Sequence, residues 1–129
     1  MRLNFVAALG SAALAIGLLS AIPVHAQDAD AGKVTFKQKC SVCHNLTPGA
    51  HGIGPSLLGV VGSKAGTNDA AFHYSDALKN SGKTWDAASL DVYLTNPRAD
   101  IPGVKMTFVG LPAATDRANV IAFLSTLKK

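Results

Sequence analysis

Two cysteines and a histidine stand together in the segment Cys40-Ser41-Val42-Cys43-His44. This C-x-x-C-H spacing is typical of an attachment site for c-type haem. On a helix the two thiols lie about one turn apart on the same face, where both reach the vinyl groups on one edge of a porphyrin. His44 then follows directly and can bind the iron as an axial ligand. The motif therefore predicts one haem c, attached covalently through Cys40 and Cys43, with His44 on the metal.

Three other kinds of site use paired cysteines. A structural zinc site needs a second pair of ligands, and the chain has only these two cysteines. A thioredoxin-like thiol pair lies beside a βαβ pattern, and no alternation of strands and helices is visible here. A plain disulfide is compatible with an exported protein but leaves His44 unexplained. The pattern favours haem over all three.

The N-terminus has the features of an export signal. Arg2 precedes an apolar stretch over residues 5–22, and Val24-His25-Ala26 places small residues at the two positions that signal peptidase reads. We expect a cleaved signal peptide over residues 1–26 and a mature domain over residues 27–129, located in the periplasm. The alternative is a retained membrane anchor, because the apolar stretch approaches the roughly 18 residues that span a bilayer.

The composition limits the possible partners. Lysine and arginine number 12 against 8 acidic residues, a net charge of +4. A mild positive excess favours acidic protein partners or a membrane surface. Nucleic acid is a poor partner for this chain, because no basic run is interleaved with aromatic residues. A mature segment of about 100 residues forms one small domain with a thin core, to which a large apolar cofactor would add.

The elements that must position the motif are helices. Apolar spacing predicts a first helix over residues 30–44, a short one over residues 75–80, a third over residues 86–96 and a last one that begins near residue 115 or 116. No segment alternates strongly enough to predict a strand. The fold class is therefore all-α.

Two long loops connect these helices, over residues 45–74 and 98–112, and both are rich in turn-forming residues. Loops of this length are uncommon in a compact domain unless they have a function. Wrapping a cofactor is one such function.

The occupant of the sixth coordination position of the iron distinguishes two functions. A second protein ligand favours electron transfer, and an open position allows ligand binding or catalysis. Met106 is the one methionine of the predicted mature chain, and a Pro-Gly turn precedes it. We expect it to be the second axial ligand. The competitors are His51, which lies only seven residues from His44, and His73; an open sixth site is a further alternative.

Short motifs along residues 28–129 share their order with one known family: Gly54-Pro55-Ser56-Leu57, Lys79-Asn80-Ser81-Gly82, Leu90-Asp91-Val92-Tyr93-Leu94, Asn96-Pro97-Arg98, Pro102-Gly103-Val104-Lys105-Met106 and Arg117-Ala118-Asn119-Val120-Ile121-Ala122-Phe123-Leu124. With C-x-x-C-H, they resemble the class I c-type cytochromes, especially the mitochondrial-like bacterial ones. The resemblance implies a small, loop-rich cytochrome c fold wrapped around one covalently attached haem, with the N- and C-terminal helices crossing.

The resemblance also implies roles around the cofactor. Pro55 would accept a hydrogen bond from the Nδ1–H of His44. Tyr74 and Trp85 resemble the donors to a buried haem propionate, and Tyr93 resembles the hydroxyl beside the methionine sulfur.

Further implied roles concern the helix crossing and the surface. Gly32 and Phe36 resemble the positions at which the first helix crosses the last. Lys39, Arg98 and Lys105 resemble part of a positive ring around the haem edge, which would steer transient electrostatic encounters with membrane redox complexes or periplasmic dehydrogenases. We expect a monomer.

Three positions depart from the family pattern. Ser63 stands where an arginine near the propionates is usual, Val104 replaces a threonine, and Leu78 replaces an asparagine. Because the loss of a nearby positive charge favours ferric iron, we expect a lower reduction potential than in close relatives.

These observations predict a soluble periplasmic monohaem cytochrome without enzymatic activity. It would shuttle single electrons between respiratory or photosynthetic partners. The alternative is a haem-binding subunit or dedicated electron acceptor of a periplasmic oxidoreductase, or a peroxidase with an open sixth site.

Overall fold

The computed structural model describes residues 27–129, so the predicted signal peptide lies outside the described residues. Within this range the chain forms five helices: α1 (Ala29–Lys39), α2 (Asp76–Lys79), α3 (Ala87–Thr95), α4 (Pro97–Asp100) and α5 (Ala114–Thr126). These residues contain no strand, only one isolated bridge between Lys64 and Thr84. The all-α prediction is confirmed. None of the helices in the described part is long and apolar enough to cross a membrane.

The first helix is shorter than predicted. It begins after Asp28, whose carboxylate caps the first turn, and it ends at Lys39 instead of residue 44. The amides of Cys43 and His44 both bond to the carbonyl of Cys40, at 3.0 and 2.9 Å. The helix ends before this turn because the amide of Ser41 bonds to the carbonyl of Phe36 at 3.0 Å and not to that of Lys37, which accepts the Ser41 hydroxyl at 2.6 Å. C-x-x-C-H therefore lies in the turn that follows α1.

The terminal helices cross as expected. A Cβ on Gly32 of α1 would overlap the backbone carbonyl of Asn119 in α5, so the two backbones touch where glycine has no side chain. The rings of Phe36 and Phe123 pack beside this point, with centroids 5.6 Å apart. Val120 of α5 is 1% exposed. This crossing closes one side of the core.

The loop predicted over residues 98–112 contains a helix at its start. Asn96 accepts a hydrogen bond from the amide of Ala99 at 3.1 Å and caps α4, while Pro97 occupies its first turn. Proline suits this position because the first amides of a helix have no intrahelical partner. Pro97 therefore ends α3 and also begins α4, and the prediction of an uninterrupted loop was wrong.

The loop over residues 45–74 is irregular, as predicted, and backbone hydrogen bonds fix it to the segment before α3. The amide of Gly62 bonds to the carbonyl of Trp85 at 2.8 Å, and the amide of Trp85 bonds to the carbonyl of Ser63 at 2.9 Å. A third bond joins the amide of Ala65 to the carbonyl of Lys83 at 2.9 Å. These bonds place the buried Trp85 between the loop and α3.

Candidate functional site

A cavity of about 360 Å³ lies between the C-x-x-C-H turn, the long loops and the inner faces of α3 and α5. Its lining is mostly apolar. All eight residues predicted to bind the cofactor or its iron line this one cavity: Cys40, Cys43, His44, Pro55, Tyr74, Trp85, Tyr93 and Met106. The fold therefore brings together residues that are far apart in sequence.

His44 is held by the loop that follows it. Its Nδ1 lies 2.8 Å from the carbonyl oxygen of Pro55. Because a carbonyl only accepts, Nδ1 carries the proton and Nε2 keeps its lone pair free for a metal. Burial lowers the pKa of His44, with the Pro55 hydrogen bond acting in the opposite direction. The neutral imidazole, which is the form that binds iron, is therefore favoured.

Gly54 makes room for this imidazole. A Cβ at Gly54 would lie 2.5 Å from Cε1 and 2.7 Å from Nδ1 of His44. The amide of Gly54 also bonds to the carbonyl of Cys43 at 2.8 Å, which fixes the loop against the motif. The sequence showed Gly54 only as a motif residue beside Pro55, since the contact that explains it needs the folded loop.

The side chains of the two cysteines are half-buried and form no disulfide. Before haem attachment, burial, followed by the proximity of Cys43, raises the pKa of the Cys40 thiol to about 11. Both side chains line the cavity beside His44, as thioether attachment to one porphyrin edge requires.

Met106 has a hydrogen-bonded sulfur. The hydroxyl of Tyr93 donates to Sδ at 3.4 Å. Burial, followed by the nearby Asp100 carboxylate, raises the pKa of Tyr93 to about 12, so the hydroxyl stays protonated as a donor. The Nε of Arg98 lies 3.5 Å from the backbone carbonyl of Met106, which ties α4 to this loop.

The two competing histidines lie outside the cavity lining. Nδ1 of His51 is 3.6 Å from Oδ2 of the buried Asp69, and its ring packs against the edge of Phe72 at 5.5 Å. His73 is exposed. Within residues 27–129, Met106 is thus the one Met or His side chain besides His44 that lines the cavity.

The expected propionate donors lie at the cavity. The hydroxyl of Tyr74 accepts a hydrogen bond from the amide of Asp69 at 3.0 Å, which leaves its own proton for another acceptor. Trp85 is buried and packs on Tyr93, with ring centroids 4.8 Å apart. Their role as donors to a propionate stays a prediction.

The residues present fit a haem. Two thiols, a neutral imidazole and a thioether share a mostly apolar cavity, and Gly54 leaves space for the imidazole. The family model described as "Cytochrome c" matches residues 29–128. The chain belongs to the cytochrome c family. It carries one covalently attached haem c and is a monohaem electron carrier.

Similar proteins support this assignment to the bacterial class I cytochromes c. The cytochrome c2 of Rhodomicrobium vannielii is 56% identical over 108 residues, which cover 83% of this chain and 85% of that protein. The cytochrome c2 of Rhodoblastus acidophilus is 53% identical over 80% of this chain and 95% of its own length. Among solved structures, cytochrome cH from Methylobacterium extorquens is 44% identical with a TM-score of 0.73 and covers 77% of this chain and 98% of its own.

The opening of the cytochrome's cavity is both positive and apolar. Lys39 and Lys105 are exposed and line the opening, whereas Arg98 does not line it. Val42 and Ile53, also in the lining, are 83% and 79% exposed. Positive charges and exposed apolar side chains therefore lie around the same edge of the cavity.

The three departures from the family pattern differ in position. Val104 and Leu78 line the cavity. Ser63 does not, and its hydroxyl donates to the carbonyl of Val60 at 2.7 Å. The predicted effect of Ser63 on the potential stays a prediction.

Proposed function

We propose that this cytochrome is a periplasmic electron shuttle in which His44 and Met106 bind the two axial positions of the haem iron. The observation that carries the proposal is the shared cavity of the two side chains, with Sδ of Met106 held by Tyr93. When bound, haem c supplies a one-electron couple between ferric and ferrous iron, in which no other bond forms or breaks. Two protein ligands leave no open position for a substrate, as electron transfer requires.

Each part of the chain has a task in this function. Pro55 fixes the orientation of His44, and Tyr93 fixes that of Met106. The apolar walls exclude water and favour the redox state of lower charge. Because the ligands are held by the fold in advance, gain and loss of an electron need little rearrangement.

An electrochemical experiment tests the shuttle function. Voltammetry of the purified holoprotein should give a reversible one-electron wave, and carbon monoxide should bind slowly or weakly to the reduced protein because Met106 occupies the sixth position. Rapid binding of carbon monoxide together with peroxidase turnover would support the peroxidase alternative.

The positive opening suggests the partner's chemistry. Lys39 and Lys105 would steer the cavity edge to an acidic surface on a membrane redox complex or a periplasmic dehydrogenase, with the exposed Val42 and Ile53 making the close contact. Such steering raises the association rate and leaves a weak, salt-sensitive complex. A shuttle needs this, because it must also dissociate quickly.

A carboxylate-terminated electrode can stand in for the acidic partner. Lys39→Gln and Lys105→Gln should each slow electron transfer at low ionic strength and flatten its salt dependence. Lys33→Gln provides the matched control, because Lys33 is an exposed lysine of α1 that does not line the cavity. Equal effects of all three substitutions would refute docking through this edge.

Export is the remaining part of the proposal. Residues 1–26 have the pattern of a signal peptide, and haem attachment to C-x-x-C-H proteins takes place outside the bacterial cytoplasm. Mass spectrometry of the periplasmic fraction should find a chain that begins at Gln27 and carries one haem. A full-length chain in the membrane fraction would show that the segment is retained as an anchor.

A further inference from the structure

A partly buried ion pair, Lys83 and Asp100, joins two segments that continue into the cavity wall, and it has no part in the function described so far. Asp100 ends α4, and its side chain is only 11% exposed. Its Oδ1 accepts a hydrogen bond from Nζ of Lys83 at 2.8 Å, and the Lys83 side chain is 28% exposed. Its buried Oδ2 has no hydrogen-bond partner among the described residues. The carboxylate is therefore poorly solvated, with a single charged partner.

The pair joins two segments that form the site. Lys83 lies two residues before Trp85, and Asp100 lies six residues before Met106. Trp85 and Met106 both line the cavity. The pair therefore bridges the two segments that carry Trp85 and Met106 into the cavity wall.

The charge of Asp100 acts at the cavity wall. The carboxylate adds to the effect of burial in raising the pKa of Tyr93, and the Tyr93 hydroxyl donates to Sδ of Met106. A field that reaches this hydroxyl also reaches the adjoining cavity. Solvent screens it weakly, because the side chains of Asp100 and Tyr93 are themselves largely buried.

Stability alone is a poor reason for such a pair. Removing two charges from water is unfavourable, and their attraction offsets this only when the remaining polar atoms are also satisfied. Here Oδ2 is not satisfied. The exposed pair of Asp76 and Lys79, with side chains 86% and 51% exposed, has no comparable desolvation.

We propose that Asp100 and Lys83 are a pair of opposed charges that set the reduction potential of the haem. The proposal rests on the electron-carrier function, in which the oxidised centre has one more positive charge than the reduced centre. The carboxylate of Asp100 stabilises the oxidised form, and the ammonium of Lys83 opposes it. The potential depends on the balance of the two.

Potentiometric titration of four holoproteins tests this balance: the wild type, Asp100→Asn, Lys83→Gln and the double variant. The potential should rise in Asp100→Asn and fall in Lys83→Gln, because each substitution leaves the opposite charge uncompensated. Each should change the equilibrium constant for reduction by several-fold, because a unit charge near a partly buried redox centre acts at an effective dielectric constant of about 20. The double variant should lie near the wild type.

Controls separate charge from structure. Asp76→Asn removes a carboxylate from the exposed pair and should leave the potential unchanged. The weak absorption band near the red end of the oxidised spectrum, which reports sulfur ligation of the iron, should persist in every variant. Shifts of the same sign in Asp100→Asn and Lys83→Gln, or no shifts while the band persists, would overturn the proposal. Absence of the band in the wild type would instead refute ligation by Met106, while opposed shifts in Asp100→Asn and Lys83→Gln would still support the role of the charge pair.

Discussion

Removal of the Tyr93 hydroxyl tests how a hydrogen bond to Met106, the proposed second ligand, affects the reduction potential. Tyr93 is 7% exposed, and its hydroxyl donates to Sδ of Met106 at 3.4 Å. The hydrogen bond withdraws electron density from the sulfur, and ferric iron needs that density more than ferrous iron does. The bond therefore favours the reduced state. Tyr93→Phe keeps the ring and its packing on Trp85 but removes the donor, so the reduction potential should fall.

The size of the fall follows from the strength of the hydrogen bond. A typical intramolecular hydrogen bond contributes about 0.5–1.5 kcal/mol net. If it is lost fully from one redox state and not from the other, the midpoint shifts by about 20–65 mV, since a tenfold change in a one-electron equilibrium is about 59 mV. Because the bond persists partly in both states, this range is an upper bound.

Spectroelectrochemical titration at neutral pH measures the shift. The pKa of Tyr93, raised to about 12, keeps the hydroxyl protonated there, so only the hydrogen bond differs between the two proteins. Val92→Ala serves as control, because Val92 is the preceding residue of α3 and is 54% exposed. If the reduction potential stays constant or rises in Tyr93→Phe while sulfur ligation is intact, the Tyr93 hydrogen bond does not favour the reduced state.

Three further substitutions test the fold and the site. Phe36→Ala should lower the free energy of unfolding by about 3–5 kcal/mol, because it empties the buried helix crossing; Val34→Ala, at a position 55% exposed on the same helix, should change it by less than about 0.5 kcal/mol in the same denaturant titration. Ser63→Arg should raise the reduction potential by restoring a positive charge, and an unchanged potential would contradict this. Gly54→Ala should disturb the spectrum of the oxidised protein, because its Cβ would press on the imidazole of His44; a spectrum like that of the wild type would show that the loop yields easily.

The cofactor residues were predictable because covalent chemistry fixes their spacing. Attachment to one porphyrin edge requires Cys40, Cys43 and His44 at set intervals. Met106 could be selected because the predicted mature chain has one methionine. All four line the cavity.

Helix ends were less predictable, because they depend on local hydrogen bonds that apolar periodicity does not report. The amide of Ser41 bonds to the carbonyl of Phe36 and not to that of Lys37, so α1 ends at Lys39 although the sequence beyond it keeps helical spacing. Helix α4 has only four residues, which are too few to show helical periodicity in the sequence. The cap formed by Asn96 and Pro97 is its only sequence signal.

Two contacts between distant segments had no signal in the sequence. Gly54 is explained only once the loop closes on His44. Lys83 and Asp100 are 17 residues apart and meet only because the chain turns through α3 between them. Both are tertiary contacts on which the properties of the site depend.

The visible spectrum of the oxidised holoprotein shows most directly whether Met106 binds the iron. If Met106 binds the iron opposite His44, the wild type shows the weak band near the red end of the spectrum, and Met106→Leu loses it while both thioether bonds stay in place. His51→Gln and His73→Gln should keep the band. A wild-type protein without the band, or a band that survives in Met106→Leu, would contradict the assignment of this chain as a His/Met electron carrier.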